Sequence, residues 1–366
     1  MTHPWLSIDL DKIEHNSRTL VELCAQHGIA VTGVTKATCG NPEVAKAMLR
    51  GGVCSIADSR LDNIHRLKAA GIDTSYMLLR LPPLSGTNTV VDSVDISLNS
   101  DLSVLQGLSA AARKTGVEHD VIIMIDLGDL REGILPDDLM PFMQEATRLA
   151  GIRIAGIGAN LACFSGVVPD EDNMNCLVGL ADAVEQSFDL KLKWISGTNS
   201  SGLKLIASGR MPVRVNHARI GEAILLGRET VHRSPWPGTF QDALVLHAEV
   251  LELRNKPSMP IGTRSEDAFG KRPRFEDRGV ISRALLNVGR EDIDVEGITP
   301  VDARFRIIGA SSDYLAVDVS AAGDDVRVGD SLAFLLNYSA LVAAMTSAYV
   351  KKCPEQGGVS GRGSCD

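Results

Sequence analysis

The feature that most constrains the fold is an alternation of short β-branched runs with longer amphipathic stretches, repeated along most of the chain. A hydrophobic period of two residues predicts strands, and a period of about 3.6 residues predicts helices. We predict strands at 30–35, 53–57, 75–79, 94–98, 121–126, 152–159, 192–196 and 213–218. We predict helices at 42–51, 59–71, 101–115, 136–150, 172–187 and 200–208, with a weaker, proline-containing link at 80–92.

Strands that alternate with helices in this way predict an α/β fold, a (β/α)8 TIM-type barrel. The active site of such a barrel lies at the carboxyl ends of its strands. The alternative is a doubly wound open sheet, but no G-x-G-x-x-G motif follows the first of these strands. We therefore examine the residues that follow each predicted strand for candidate site residues.

The character of the sequence changes after about Gly227, where strand-like segments are linked by Gly, Pro and Asp turns without long helices. This pattern predicts a mostly antiparallel β domain. Its predicted strands are 243–254, 280–289, 303–310, 314–320 and 332–337, with a short helix at 339–346. We divide the chain into a barrel at 11–230, a β domain formed by 1–10 and 231–350, and a polar, Gly-rich tail at 351–366 that we expect to be disordered.

Charge and composition exclude several classes of function. The chain of 366 residues carries a formal net charge of -9, which gives no electrostatic support for nucleic-acid binding. No stretch approaches the roughly 18 apolar residues of a membrane span. The seven cysteines are dispersed without a C-x-x-C pair, so we expect reduced thiols and no metal site. The N-terminus does not resemble a secretory leader, and we expect a soluble, cytoplasmic protein.

Lys36 ends the first predicted barrel strand, Val31-Thr32-Gly33-Val34-Thr35-Lys36, before a turn at Gly40. One interpretation is a lysine that extends from the strand end into solvent. The other is a lysine held for Schiff-base chemistry, which requires a desolvated and partly deprotonated amine. Taken alone, Lys36 fits the first interpretation better.

Two further loops suggest an anion site. The seventh strand ends in Ser196-Gly197-Thr198-Asn199-Ser200-Ser201, and the eighth in His217-Ala218-Arg219-Ile220-Gly221-Glu222. Phosphate sites in barrels are often built from the loops after these two strands. The hydroxyl and amide groups around Asn199 and Ser200, and the chain at Gly221, suit a phosphate. An ordinary helix cap at Asn199 is the alternative.

Single polar residues follow the fifth and sixth strands. Arg131 could hold a carboxylate with two hydrogen bonds, or it could pair on the surface with Asp129 or Glu132. Asn160 could contact a cofactor ring or cap a loop. In the second domain, the turns 289–294 and 309–314 are explained equally well by turn chemistry.

Taken together, these stretches resemble the alanine racemase-like amino-acid racemases that use pyridoxal 5′-phosphate, over nearly the whole chain. The segments that carry the resemblance are Gly33-Val34-Thr35-Lys36, Asn160-Leu161-Ala162-Cys163, Arg219-Ile220-Gly221-Glu222-Ala223 and Gly309-Ala310-Ser311-Ser312-Asp313. The likeness is greatest to the ornithine and lysine racemase branch. It implies a homodimer with shared active sites.

The resemblance also implies a role for each matching residue. Lys36 would form the Schiff base with the cofactor and act as one catalytic base. Arg131 would lie near the cofactor hydroxyl and the substrate carboxylate, and Arg219 would face the pyridine nitrogen. Ser200, with the backbone of Gly221 and Glu222, would bind the cofactor phosphate beside Asn199, and Asn160 would stand where the family has a histidine beside the ring.

The sequence also departs from the family. Arg290 stands where the family has the tyrosine that serves as second base, and Cys39 lies near the family's phosphate-binding tyrosine. Arg290 is a poor base because its guanidinium stays protonated. Ser312 and Asp313 occupy the family's substrate turn, where the Asp313 carboxylate could pair with a side-chain ammonium. We therefore expect a racemase of ornithine or lysine; a decarboxylase or aldolase of the same fold and a non-catalytic cofactor carrier are the alternatives.

Overall fold

The computed structural model describes residues 3–357 of the chain. The chain divides into two compact units. One is Leu10–Phe240, and the other combines the N-terminal strand with the chain from Gln241 onward. Each unit is built around its own sheet.

In the first unit, within the described residues, eight parallel strands close into a barrel, which confirms the predicted fold class. The N-terminal strand β1 (Trp5–Asp9) precedes the barrel and leads into the helix α1 (Leu10–Gln26). The barrel strands are β2 (Ala30–Val34), β3 (Ser55–Asp58), β4 (Tyr76–Leu78), β5 (Ile96–Asn99), β6 (His119–Ile125), β7 (Ile152–Ala159), β8 (Trp194–Thr198) and β9 (His217–Ile220). The strand β2 pairs with both β3 and β9 and so closes the barrel.

The helices of this unit follow the strands. They are α2 (Pro42–Arg50), α3 (Leu61–Ala69), α4 (Thr87–Ser93), α5 (Leu102–Thr115), α6 (Leu139–Ala146), α7 (Glu171–Phe188), α8 (Leu203–Ala207) and α9 (Glu222–Leu226). Side chains at their amino ends explain where several begin: Asn41 accepts from the backbone N–H of Glu43 and Val44, and Asp101 caps α5 in the same way. Apolar side chains from successive strands, among them Met77, Leu98 and Ile122, fill the core.

The predicted position of the eighth barrel strand, 213–218, is wrong by several residues. The side chain of Val213 is 94% exposed, and the N–H of Val215 donates to the carbonyl of Pro212 within a turn. The strand begins only at His217. The β-branched residues at 213 and 215 suggested a strand, but Pro212 cannot donate to a sheet and starts a turn instead.

The second unit is a mostly antiparallel sheet, as predicted. Its elements are β10 (Leu244–Pro257), β11 (Val280–Leu286), β12 (Ile298–Pro300), β13 (Arg306–Ala310), β14 (Leu315–Asp318), β15 (Ser331–Leu336), the helix α10 (Tyr338–Thr346) and β16 (Lys351–Glu355). The order of the main path is β12-β15-β10-β11-β14-β13. The strand β1 pairs antiparallel with β10, so the N-terminal strand belongs to this sheet.

The expectation of a disordered tail from residue 351 is wrong for its first part. Lys351–Glu355 forms β16, which pairs in parallel with β1 and buries Cys353. An edge strand such as β1 exposes unpaired N–H and C=O groups, and β16 satisfies them despite its polar sequence. Residues 358–366 of the predicted tail lie outside the described residues.

Cys353 is disulfide-bonded, so the expectation of reduced thiols is wrong at this position.

Two searches of residues 3–357 bear on the expectations about membranes and metals. No helix in that range is long and apolar enough to cross a membrane. In the same range, no group of three or more His, Cys, Asp or Glu side chains is arranged to hold a metal ion.

A buried carboxylate fixes the loop by which the chain leaves the barrel. Glu229 is 1% exposed and accepts from the backbone N–H groups of Val231, His232 and Ser234, while the Lys204 ammonium lies 3.2 Å away. Burial alone would raise the pKa of Glu229, but these donors outweigh it and lower the pKa from 4.5 to about 2. The loop therefore depends on an ionised carboxylate.

We predict that Glu229→Gln lowers the free energy of unfolding at neutral pH by about 2 kcal/mol, because the amide loses charge-assisted hydrogen bonds. The folded pKa lies below the unfolded value, so the contribution of the carboxylate is complete above about pH 4.5 and is lost as the pH falls towards 2. Urea unfolding across this range should show the two proteins converging at low pH. The control is Glu145→Gln, which removes an exposed ion pair with Arg148. A difference that does not change with pH would contradict this account.

Candidate active site

Lys36 opens a short 3-10 helix, Lys36–Thr38, directly after β2. Ala37 and Thr38 are buried, and Cys39 adopts a left-handed conformation that ends the turn. The Thr35 hydroxyl donates to Asp58 Oδ2 at 2.8 Å, which ties this turn to the end of β3. The side chain of Lys36 itself is exposed, so this chain alone does not supply the desolvated amine that Schiff-base chemistry was expected to require.

The end of β9 lies against the end of β2 because Gly221 has no side chain. A Cβ atom at this position would come 2.9 Å from both the Cβ and the carbonyl oxygen of Val34. The close approach brings the following residue, Glu222, within the electrostatic reach of Lys36. Burial raises the pKa of Glu222, and the nearby Arg233 and Lys36 cations partly offset that rise.

The loops after β8 and β9 are joined by a hydrogen bond. The backbone N–H of Ala223 donates to the Ser200 hydroxyl at 3.1 Å. Asn199 holds the first loop from within, since its side chain accepts from the Ser201 N–H at 2.8 Å and donates to the Leu161 carbonyl at 3.0 Å. The structure therefore brings together the stretches that the sequence marked separately, Asn199 and Ser200 on one side and Gly221 and Glu222 on the other.

The loop after β8 contains a further candidate, Ser201, which the sequence pattern did not single out. Its hydroxyl is buried and, within the described residues, has no hydrogen-bond partner. Buried polar groups almost always have a partner, so an orphaned hydroxyl in a polar loop fits a site for a bound anion. A phosphate group would supply the missing acceptor. The neighbouring Ser200 matched the family pattern, but nothing in the sequence indicated that the Ser201 hydroxyl would be buried.

Arg219 is buried on β9 and makes hydrogen bonds to two neighbouring strand ends. Its Nη2 donates to the Ala159 carbonyl at 2.7 Å and to Asn160 Oδ1 at 2.8 Å. Its Nη1 donates to the carbonyl of Ser196 at 3.0 Å and also to the Ser196 hydroxyl. Burial lowers the pKa of Arg219 to about 10, so the guanidinium remains protonated at neutral pH.

A chain of hydrogen bonds continues from Arg219 into the barrel. The Ser196 hydroxyl contacts His217 Nδ1 at 2.7 Å, and His217 Nε2 contacts the Thr32 hydroxyl at 2.7 Å. Burial, with the Arg219 cation close by, lowers the pKa of His217 to about 3, so the imidazole is neutral. Arg219 can only donate, which leaves the Ser196 proton free to point at Nδ1 and favours the imidazole proton on Nε2.

Arg131 and Asn160 meet at a residue that the sequence analysis treated only as a surface partner. The Glu132 carboxylate accepts from Arg131 Nη2 at 2.8 Å and from Asn160 Nδ2 at 2.6 Å. The side chain of Glu132 is 13% exposed, so this pair is not a simple surface ion pair. The structure therefore links Arg131, Glu132, Asn160 and Arg219 in one network.

The remaining candidates lie in the second unit. Ser312 and Asp313 are exposed, and the Ser312 hydroxyl donates to Asp313 Oδ2 at 2.8 Å. This turn packs on the turn at Gly289, where the N–H groups of Arg290 and Glu291 donate to the carbonyls of Ser311 and Ser312.

Comparisons with known proteins identify the family to which this barrel belongs. The family described as alanine racemase, N-terminal domain, matches residues 8–229. The chain belongs to the alanine racemase family. The match covers β9 and the loop after it, and so includes Lys36, Ser200, Arg219 and the network around Glu132.

Two relatives from this family are similar to the chain over nearly its full length. The ornithine racemase of Acetoanaerobium sticklandii is 40% identical over 96% of this chain and 99% of its own. The lysine racemase of Thermotoga maritima is 37% identical over 97% of this chain and 99% of its own. An alanine racemase from Bartonella henselae, solved with covalently bound pyridoxal phosphate, shares the fold with a TM-score of 0.73 and 20% identity, over 96% of this chain and 99% of that chain.

Arg290 occupies the position where, by the family resemblance, a tyrosine would be expected. Its guanidinium lies 5.4 Å from the centre of the Phe269 ring, and Nε donates to the Ala310 carbonyl at 3.3 Å. Nη1 also lies 3.3 Å from the Glu296 carboxylate. These contacts use the guanidinium for packing and charge pairing, which agrees with its poor chemistry as a base.

We predict that Gly289→Ala separates the two turns of the second unit and lowers the free energy of unfolding by about 3 kcal/mol. A Cβ atom at Gly289 would lie 2.0 Å from the Ser312 carbonyl oxygen, and backbone cannot rotate away as a side chain can. The matched control is Gly309→Ala, where an added Cβ meets nothing within 4 Å. That control should change the stability by less than about 0.5 kcal/mol. Equal effects of the two substitutions in urea unfolding would refute the packing argument.

Proposed function

We propose that this chain is a pyridoxal-phosphate-dependent racemase of basic amino acids, with ornithine or lysine as substrate. The observation that carries the proposal is the placement of two features in one barrel. Lys36 follows β2 directly, and the loops after β8 and β9 are joined by the hydrogen bond between Ala223 and Ser200. The loop after β8 also holds the Ser201 hydroxyl, which is buried without a partner in the described residues. An amine that can hold an aldehyde and a site that fits a phosphate are the two requirements of this cofactor. The two full-length relatives that racemise diamino acids support the choice of substrate.

When bound, pyridoxal phosphate supplies an electron sink that makes the α-proton of an amino acid removable. Lys36 would hold the aldehyde carbon, and Arg219 would face the ring nitrogen with Asn160 beside it. The phosphate would lie against the loops after β8 and β9, at Asn199, Ser200, Ser201, Gly221 and Glu222. Ser201 would donate its unpaired hydroxyl proton there.

The choice of arginine at position 219 suits racemisation. Burial lowers the pKa of Arg219 only to about 10, so the guanidinium carries its full set of protons at neutral pH and does not hand one to a ring nitrogen. A site of this kind withdraws electrons less strongly than one with a carboxylate at the same place. Return of a proton is thereby favoured over decarboxylation.

We assign the proton transfer on one face, and the binding of the substrate carboxylate, to two side chains of the barrel. Lys36 Nζ takes or returns the α-proton on one face of the substrate, and Arg131 binds the substrate carboxylate. For the opposite face we propose a group from the β domain of a second copy in a homodimer. The side chains of Leu130 and Phe164, 72% and 75% exposed on barrel-end loops, support such a contact.

The cytoplasmic location expected from the sequence stays a prediction.

We predict that Lys36→Ala abolishes both racemase activity and the covalent attachment of pyridoxal phosphate. Borohydride reduction followed by peptide mass mapping should find the cofactor on the peptide that contains Lys36 in the wild type, and on no peptide in the variant. Lys46→Ala is the matched control, because Lys46 lies on α2 and pairs with Glu43 at 2.8 Å. Covalent cofactor retained in Lys36→Ala would refute the role of Lys36.

We propose that the Asp313 carboxylate pairs with the side-chain ammonium of ornithine or lysine, and Ser312 orients it. Asp313→Asn should then raise KM for these substrates by about tenfold, the loss expected for one charge-assisted contact worth ~1.4 kcal/mol. KM for alanine should not change, since alanine has no side-chain charge. Asp324→Asn, at another exposed aspartate of the same unit, is the control. A parallel rise in KM for alanine would exclude selective recognition.

A further inference from the structure

We propose that Glu132 is the positioning residue that sets the geometry of both active-site arginines, Arg131 directly and Arg219 through Asn160. The inference rests on the proposed function, because it concerns how this chain prepares the site for a cofactor and an amino-acid carboxylate. Its basis is a set of hydrogen bonds among four side chains of the barrel. The sequence suggested only the Arg131–Glu132 pair, as a surface contact, and did not indicate the contacts with Asn160 and Arg219.

One carboxylate oxygen of Glu132 serves two donors. Oε1 accepts from Asn160 Nδ2 at 2.6 Å and from Arg131 Nη2 at 2.8 Å. The second oxygen, Oε2, also lies 2.8 Å from Arg131 Nη2. The side chain is only 13% exposed, so water competes little for these contacts. An ion pair of this burial holds its partners in place more firmly than a surface pair does.

Asn160 carries the influence of Glu132 to Arg219, because the two ends of its amide are not equivalent. Arg219 can only donate, so it requires Oδ1, and it lies 2.8 Å from that atom. An ionised carboxylate can only accept, so Glu132 requires Nδ2. Both neighbours select the same orientation of the amide. A donor in place of the carboxylate would remove that agreement.

Charge gives the network a second function. After burial, the largest influences on the pKa of Arg219 are the Glu132 carboxylate, which raises it, and the Arg131 cation, which lowers it. Two guanidinium groups thus lie within electrostatic reach of each other, and the carboxylate between them offsets their repulsion. Without the charge of Glu132, Arg131 would be driven towards solvent and would no longer be held for a carboxylate ligand.

The substitution Glu132→Gln removes the charge of the carboxylate but keeps the size and shape of the side chain. A glutamine has one neutral acceptor oxygen where the glutamate has two charged ones. The hydrogen bond from Asn160 is then no longer charge-assisted, and the amide nitrogen faces Arg131, donor against donor. We expect the affinity of the apoprotein for pyridoxal phosphate to fall about tenfold, measured by equilibrium dialysis. We expect KM for ornithine, lysine and alanine to rise by similar factors, with a smaller change in kcat, because all three share the α-carboxylate that Arg131 binds. Glu145→Gln, which breaks the exposed pair between Glu145 of α6 and Arg148 beyond its end, should change neither the cofactor affinity nor KM.

A double-substitution cycle separates positioning from a merely structural role. In the Asn160→Ala background, Glu132→Gln should cause a clearly smaller loss of cofactor affinity than in the wild type, because the hydrogen-bonded route to Arg219 is already broken and only the influence of the charge remains. It should still raise KM, because the direct contact with Arg131 does not pass through Asn160. Urea unfolding of the apoproteins should give wild-type midpoints for Glu132→Gln, which excludes misfolding as the cause.

The outcomes that oppose the inference are distinct from those that oppose the function. Losses of cofactor affinity that simply add in the double variant would overturn the relay through Asn160. If the wild type binds the cofactor and racemises, and Glu132→Gln has the same cofactor affinity and the same KM values, the role of Glu132 is overturned and the proposed function is not. A wild-type protein that binds no pyridoxal phosphate would overturn the proposed function and the role of Glu132 with it.

Discussion

The burial of the Arg219 guanidinium is the constraint on which the rest of the site depends. A charge removed from water is costly unless each of its donors finds an acceptor. Here the acceptors are Ala159, the last residue of β7, Asn160 directly after it, and Ser196 on β8. Loss of one acceptor would leave part of a buried charge unpaired, at a cost of about 1.5–3 kcal/mol for a hydrogen bond to a charged group. The same group therefore ties the end of β7, which leads into Asn160, to β8, which leads into Asn199 and Ser200.

The fold could be predicted from the sequence because its signals are local. Continuous apolar, β-branched runs such as Val121–Ile125 are typical of strands buried on both faces. Asn41 and Asp101 are residue types that cap helices, and each accepts from the first backbone N–H groups of the helix that follows it. Lys36 and the loops at Ser200 and Gly221 could be named because they follow strands in a barrel. The strand predicted at 213–218 was wrong because the β-branched residues at 213 and 215 suggested a strand, whereas Pro212 starts a turn.

Contacts between distant segments could not be predicted in the same way. Glu132 looks like a surface partner of Arg131 until Asn160, far along the chain, is placed beside it. Ser201 is one serine among several until its hydroxyl is found buried without a partner. The polar strand at Lys351–Glu355 forms because the edge of β1 is available, and no periodicity within the segment indicates that.

We propose that this chain inverts the α-carbon of a basic amino acid by removing and returning a proton at Lys36. The most direct test follows L-ornithine in heavy water with the holoenzyme, by proton NMR and chiral chromatography. We expect D-ornithine to appear with deuterium at the α-carbon, and Lys36→Ala to produce none. Inverted product that keeps its α-proton, or loss of the carboxyl group as carbon dioxide, would contradict it.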